Sequence, residues 1–241
     1  MGYPTVLSAR QWGFYDSLFR GQPFRMAREF DSYVMEHVLF KISFPAEIHA
    51  QTAVEAAVRL HPQVVHRLDE IERIVITTHE SALRIIDKQG PLNNPADRDH
   101  CIQYMAAVGF IKGDLVAADY EDVAAADPRI DRLREKMVCV ESKAFSADYL
   151  DPEKRSIANA VQVFFADGGS TDNVVIEYPI GHPRRRADGI PLLYAKAERN
   201  LLRRLSPPRA HAVLDLFRNP DSLDTMPVHQ FVDSLVPESL P

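Results

Sequence analysis

Cysteine is nearly missing: Cys101 and Cys139 are the only two in 241 residues. Two thiols build neither a disulfide framework nor a four-cysteine zinc or iron–sulfur site within this chain, so its chemistry rests on oxygen and nitrogen groups and a reducing compartment is expected. Long apolar runs are missing as well. Charged residues break every one short of a membrane span, and the first residues lack the basic-then-apolar order of a signal peptide. Positive charge is in deficit, with 28 Lys and Arg against 34 Asp and Glu and a net charge of −6. Such a field repels nucleic acid and anionic lipid, so neither is an expected partner. Glycine is sparse, and the one cluster, Asp167-Gly-Gly-Ser170, has too few glycines to cradle a phosphate and is read as a turn.

What remains is a chain with 46% hydrophobic residues, enough for a core. Residues 1–40 carry Trp12, Phe14, Tyr15, Phe19, Phe24, Phe30 and Tyr33 between glycine and proline breaks, which predicts short helices and loops. Ala50, Ala53, Val54, Ala57 and Leu60 follow helical spacing, with Pro62 as the expected stop, and the alanines predict close packing. Residues 74–78 and 137–140 read as strands, and 97–112 as one largely buried helix. Asp127-Pro128 caps a short helix, and 161–165 with 174–178 predicts an antiparallel hairpin. Segments 191–205, 207–218 and 227–236 are read as helices. The pattern predicts an α+β fold: a mixed sheet with packed helices over 41–180, flanked by helical pieces at 1–40 and 181–241.

Candidate chemistry gathers in four places. Lys41, Ser43, Glu47 and His49 stand before and at the start of the alanine-rich helix, where free N–H groups and the helix dipole favour an anion such as a carboxylate. The alternative is that Glu47 merely complements the dipole while Lys41 is solvated. His100 and Tyr104 are four apart on the predicted helix, so the phenol is either a core group or a donor to substrate. Gly181-His-Pro-Arg-Arg-Arg186 puts His182 and Arg184 in a loop that is either an anion clamp or a solvated basic turn. His79 can pair with His49 or His66, but no pair has the His-x-x-x-His spacing of a helical zinc site, and no metal is assigned.

The strings Gly13-Phe-Tyr-Asp16, Ser32-Tyr-Val-Met-Glu36, Phe40-Lys-Ile-Ser-Phe-Pro-Ala-Glu47, His49-Ala-Gln-Thr-Ala-Val-Glu-Ala-Ala57 and Asp97-Arg-Asp-His-Cys-Ile-Gln-Tyr104 resemble the C-terminal half of the MmgE/PrpD family. Ile85-Ile-Asp-Lys-Gln-Gly-Pro-Leu92, Asp119-Tyr-Glu-Asp122 and Gly189-Ile-Pro-Leu-Leu193 extend the resemblance along the chain. It implies a large helical domain and a smaller α+β domain with the active site between them. It further implies a cofactor-independent lyase that removes water from a tricarboxylate, 2-methylcitrate, in propionate breakdown. Lys41 and Tyr104 are then the expected catalytic residues, and Ser43, Glu47, His49, His182 and Arg184 the substrate-binding ones. Family members place the lysine nearer the proline, where this chain has Ile42 and Ser43.

Met1-Gly-Tyr-Pro resembles an internal segment of such enzymes, so the expectation is a chain without the N-terminal helical half and its acid and histidine groups. Activity would then require that half, and a homodimer or association with it is the expected assembly. A non-catalytic interaction fragment and, resting on nine histidines, a metal-dependent hydrolase are the other readings.

Overall fold

The aromatic residues near the amino terminus collect around one short helix. In the computed structural model, which describes residues 5–22, 24–26, 28–31 and 37–237, α1 (Phe14–Phe19) packs Phe14 on Phe19 with ring centroids 5.0 Å apart and Phe19 on Phe24 at 5.4 Å. This helix lies in a unit spanning Met1–His37, and Val38–Pro241 forms another. Residues 32–36, which carry part of the resemblance and include Tyr33, fall outside the described residues.

The second unit is built on a sheet of strand order β2-β1-β3-β4, with β1 (Ile71–Thr78), β2 (Met137–Glu141), β3 (Asn159–Phe165) and β4 (Val174–Ile176). β1 pairs parallel with β2 and antiparallel with β3, and β3 pairs antiparallel with β4, so the sheet is mixed. Ile74, Ile76 and Thr78 alternate into the core, and an irregularity in pairing between Ile71 and Arg73 lets Ile71 turn inward too. The expected hairpin is present with a longer connection: Asn159 pairs with Ile176 and Val161 with Val174, while Phe164 meets Ser170 in an isolated bridge. The Thr171 hydroxyl accepts from the Val163 N–H at 3.1 Å.

Helices fill the connections: α2 (Gln51–Val64), α3 (Glu80–Ile86), α4 (Pro95–Asp99), α5 (Ile102–Lys112), α6 (Asp122–Ala125), α7 (Pro128–Arg134) and α8 (Lys143–Leu150). After the sheet come α9 (Arg186–Leu201), α10 (Pro207–Arg218), α11 (Pro220–Thr225) and α12 (Val228–Ser234), one helix more than expected. Pro62 does not stop α2, which runs to Val64 and is tied at its end by His61 Nδ1 donating to the Phe110 carbonyl at 2.8 Å. The single helix expected over 97–112 is two, because Cys101 takes an extended conformation (φ −125°, ψ 106°) between α4 and α5. His100 and Tyr104 therefore do not share one helix face. None of the helices among the described residues is long and apolar enough to cross a membrane.

The core depends on how closely α2 and α5 approach. Ala53, Ala56 and Ala57 of α2 are fully buried, and a Cβ added to Gly109 of α5 would stand 3.1 Å from the Ala57 Cβ. Residues this small let the helices come together while α2 also packs on β3 and β4. Overpacking this contact costs about 1–3 kcal/mol. Gly109→Leu is therefore expected to lower the unfolding free energy from urea titration by about 1–3 kcal/mol, moving the midpoint down, and an unchanged midpoint would show that the contact has slack.

Candidate active site

The segment entering α2 is held from several sides. Gly181 has φ +105°, and a Cβ there would lie 2.0 Å from the Phe40 carbonyl oxygen, so only glycine admits this close approach. The Phe40 N–H donates to the Gly181 carbonyl at 3.3 Å, and Lys196 Nζ donates to the Lys41 carbonyl at 2.6 Å. Buried Gln51 donates through Nε2 to the carbonyls of Phe44 and Ala46, both at 2.8 Å. These contacts deliver Glu47 and His49 to the start of α2.

Glu47 caps the short 3-10 turn Ile48–Ala50: its Oε2 accepts the His49 N–H at 2.8 Å and its Oε1 lies 2.8 Å from His49 Nδ1. Burial pushes the Glu47 carboxyl upward, but hydrogen bonding and charge at His49 outweigh it and hold the carboxyl below its ordinary value. A carboxylate takes a proton from nitrogen and gives none, so Nδ1 of His49 carries hydrogen. In the neutral imidazole Nε2 is then the acceptor, and the Tyr149 hydroxyl stands 3.1 Å from it. Asn159, buried at the start of β3, donates through Nδ2 to the His49 carbonyl at 2.8 Å and to the Thr52 hydroxyl at 2.7 Å. The result is a series of carboxylate, imidazole and phenol fixed at both ends.

Tyr149 comes from α8, which Ser142 caps through the Phe145 N–H at 3.3 Å and which is joined to β1 by the Ser142 N–H on the Thr78 carbonyl at 2.8 Å. Its ring stacks on His79 with centroids 4.4 Å apart and planes 10° from parallel, and His79 lies 5.2 Å from the His49 ring. His79 is 0% exposed. Burial first, and then the neighbouring His49 charge, lower its pKa from 6.5 to about 4 against the opposing pull of Glu47, so it is neutral at pH 7. Among the described residues no group of three His, Cys, Asp or Glu is placed to hold a metal.

A cavity of about 390 Å³ opens on this series, with Ile48, Leu150 and Ile157 as apolar walls and His49, Tyr149 and Arg155 as polar groups. Arg155 has φ +46°, a left-handed conformation uncommon outside glycine, and its N–H donates to the Asp151 carbonyl at 2.8 Å. Arg184 supports the same turn by donating to the Glu153 carbonyl at 2.8 Å. His182 accepts the Arg184 N–H at 3.1 Å; burial lowers its pKa, opposed by its hydrogen bond with the Arg155 backbone. His182 and Arg184 thus brace the turn that presents Arg155, a placement different from the open anion clamp of the sequence reading.

Of the other expected residues, Lys41 is exposed and Ser43 half-buried on the entering segment. Tyr104 stands elsewhere. It is 2% exposed, its hydroxyl donates to the Asp119 carbonyl at 2.6 Å, and burial pushes its pKa up to about 12. It lines a separate cavity of about 600 Å³ beside Arg98 and Arg134 that shares no lining residue with the cavity at His49. Arg185, of the same basic turn as His182, makes a two-pronged pair with buried Glu55 at 2.8 and 3.1 Å, which anchors α9 to α2. Sequence reasoning missed Tyr149 and Arg155, and weighed His79 only as a metal ligand. The helix cap at Ser142 was the available signal for α8.

The depressed His79 pKa ties stability to pH. Between about 6.5 and about 4 the unfolded chain binds a proton at this position that the folded chain refuses, so stability falls as pH drops through that window. His79→Phe is expected to flatten that part of the slope in urea unfolding measured from pH 7 to 4.5. Identical slopes for both proteins would contradict a neutral buried imidazole.

Residues 44–220 match the MmgE/PrpD C-terminal domain. The chain is 57% identical over 239 residues to the 2-methylcitrate dehydratase of Salmonella typhimurium, covering 98% of this chain and 50% of that protein. It is 58% identical over 236 residues to the 2-methylcitrate dehydratase of Cupriavidus necator, covering 97% and 49%. A mitochondrial 2-methylcitrate dehydratase of Yarrowia lipolytica is 50% identical over 238 residues, covering 98% and 45%. The chain spans about half the length of the curated relatives it matches. With a domain match over most of its length and identities of this size across nearly all of it, the chain belongs to the MmgE/PrpD family.

Proposed function

We propose that this chain provides the α+β part of a hydro-lyase acting on 2-methylcitrate or a close tricarboxylate. The observation that carries the reading is the Glu47–His49–Tyr149 series opening on a cavity that also holds Arg155. Dehydration needs a proton taken from carbon and a hydroxyl expelled as water. A proton accepted at the Tyr149 oxygen can be matched by passage of the Tyr149 proton to His49 Nε2, and Glu47 stabilises the imidazolium that forms. Run in reverse, the same series donates to the leaving hydroxyl.

Arg155 is assigned to a substrate carboxylate, which its planar guanidinium can hold with two hydrogen bonds. Lys41 and Ser43, on the segment leading to Glu47, are assigned to further substrate contacts. Tyr104 is left to packing, since its hydroxyl proton is already given to Asp119. The relatives' additional length is proposed to supply further acid–base groups from a chain that associates with this one; a homodimer of this chain is the alternative assembly.

The test is complementation. The purified chain, mixed with the N-terminal half of the Salmonella typhimurium relative, is expected to convert 2-methylcitrate to an unsaturated product followed by its absorbance. Tyr149→Phe in that mixture should lower kcat about a hundredfold, since one donor to a charge-bearing oxygen is worth about 3 kcal/mol. Arg155→Leu should chiefly raise KM. Turnover with both variants near wild type would place the chemistry away from this cavity, and no turnover in any mixture would favour a non-catalytic fragment.

A further inference from the structure

We propose that His79 is a positioning residue whose ring face holds the Tyr149 hydroxyl against His49. The inference rests on the reading of His49 and Tyr149 as the reacting pair. Tyr149 needs such a support, because α8 buries none of its residues and packing alone does not orient the phenol. The near-parallel stack at 4.4 Å supplies the missing constraint, while the His49 and Tyr149 rings are tilted at 47° and joined by their hydrogen bond.

His79 is suited to be the fixed member of the pair. It is fully buried, its backbone forms the N-cap of α3, and its Nδ1 accepts the Ala82 N–H at 3.4 Å. Asn, Asp and Ser make better caps than histidine, and the contact at Nδ1 is long, so capping does not account for an imidazole here. Hydrogen bonding at the other nitrogen does not account for it either. With Nδ1 accepting, a neutral ring carries its hydrogen on Nε2, and that atom has no partner among the described residues. What the ring does contact is Tyr149, stacked on its face, and the neighbouring His49 ring, tilted against it, with Glu47 the acid acting on it. A flat, uncharged ring at a fixed angle is therefore the property in use.

The experiment reads the geometry in the ligand-free chain by nitrogen-15 histidine NMR. Tyr149→Phe first defines the His49 Nε2 signal without its hydroxyl partner. His79→Leu, which fills similar space without a flat face, is expected to move the His49 Nε2 signal to that same position. His79→Phe, which keeps the stack, is expected to leave it at the wild-type position with stability at pH 7 no lower than wild type. A wild-type His49 signal in His79→Leu, or equal displacement in both His79 variants, overturns the proposal. Should His79→Leu fail to fold, the wild-type chain still decides. Cross-peaks between His79 Hε1 and the Tyr149 ring with hydrogen on His79 Nε2 are expected, and their absence, or hydrogen on Nδ1, overturns it. Since no turnover is read, this result stands apart from the complementation assay: loss of dehydration with the stack intact would sink the proposed function alone.

Discussion

The close contact between α2 and the elements on either side of it is the constraint from which the rest follows. Buried alanine at 53, 56 and 57, with Ala57 against Gly109, lets one helix touch α5 and the sheet at once. A larger residue in that stripe would lift α2 and with it the turn that precedes its first residue. Glu47 and His49 sit in that turn, so small buried side chains set the place of two polar ones. Asn159 completes the alignment by binding the His49 carbonyl from β3. The site thereby lies beyond the carboxyl end of β1, where parallel α/β arrangements commonly leave room for a ligand.

Charge inside this corner is arranged in opposite directions. Glu47 is kept ionised by its bonds to His49, while His79, which has no such bond to an acid, is kept neutral by burial. Two histidines with rings 5.2 Å apart thus have different partners: His49 is bonded to Glu47 and Tyr149, while His79 is buried without an acid bonded to it. That separation lets one imidazole exchange a proton while the other serves as an uncharged wall. The buried Nε2–H of His79 carries a cost of about 1–3 kcal/mol in lost hydration, which the surrounding fold must offset.

Much of the architecture was legible because it is local. The β-branched run at 74–78 and the Asp127-Pro128 cap each express their structure through neighbours in sequence; the cap appears as read, and the strand extends back to Ile71. Glu47 and His49 were legible for the same reason, being two apart and joined by the turn between them. Tyr149 and Arg155 were not, because Tyr149 reaches His49, and Arg155 the cavity beside it, across about a hundred residues, and they belong to a short helix and a strained turn with weak patterns of their own. Tyr104 shows the converse error: the helix spacing that seemed to join it to His100 was broken by the extended backbone at Cys101. Periodicity reported that both segments were helical and could not report the break. Resemblance gave the family correctly, while the positions of Tyr104, His182 and Arg184 depend on three-dimensional contacts that no spacing encodes.

Two separate cavities carry arginine and tyrosine, one around Arg155 and Tyr149 and one around Arg98, Arg134 and Tyr104, and the account assigns the tricarboxylate to the first. Titrating 2-methylcitrate into the isotope-labelled chain while following side-chain resonances addresses that assignment most directly. The account predicts saturable shifts at His49, Tyr149 and the Arg155 guanidinium, with Tyr104 and Arg98 unmoved; shifts confined to Tyr104, Arg98 and Arg134 would contradict it.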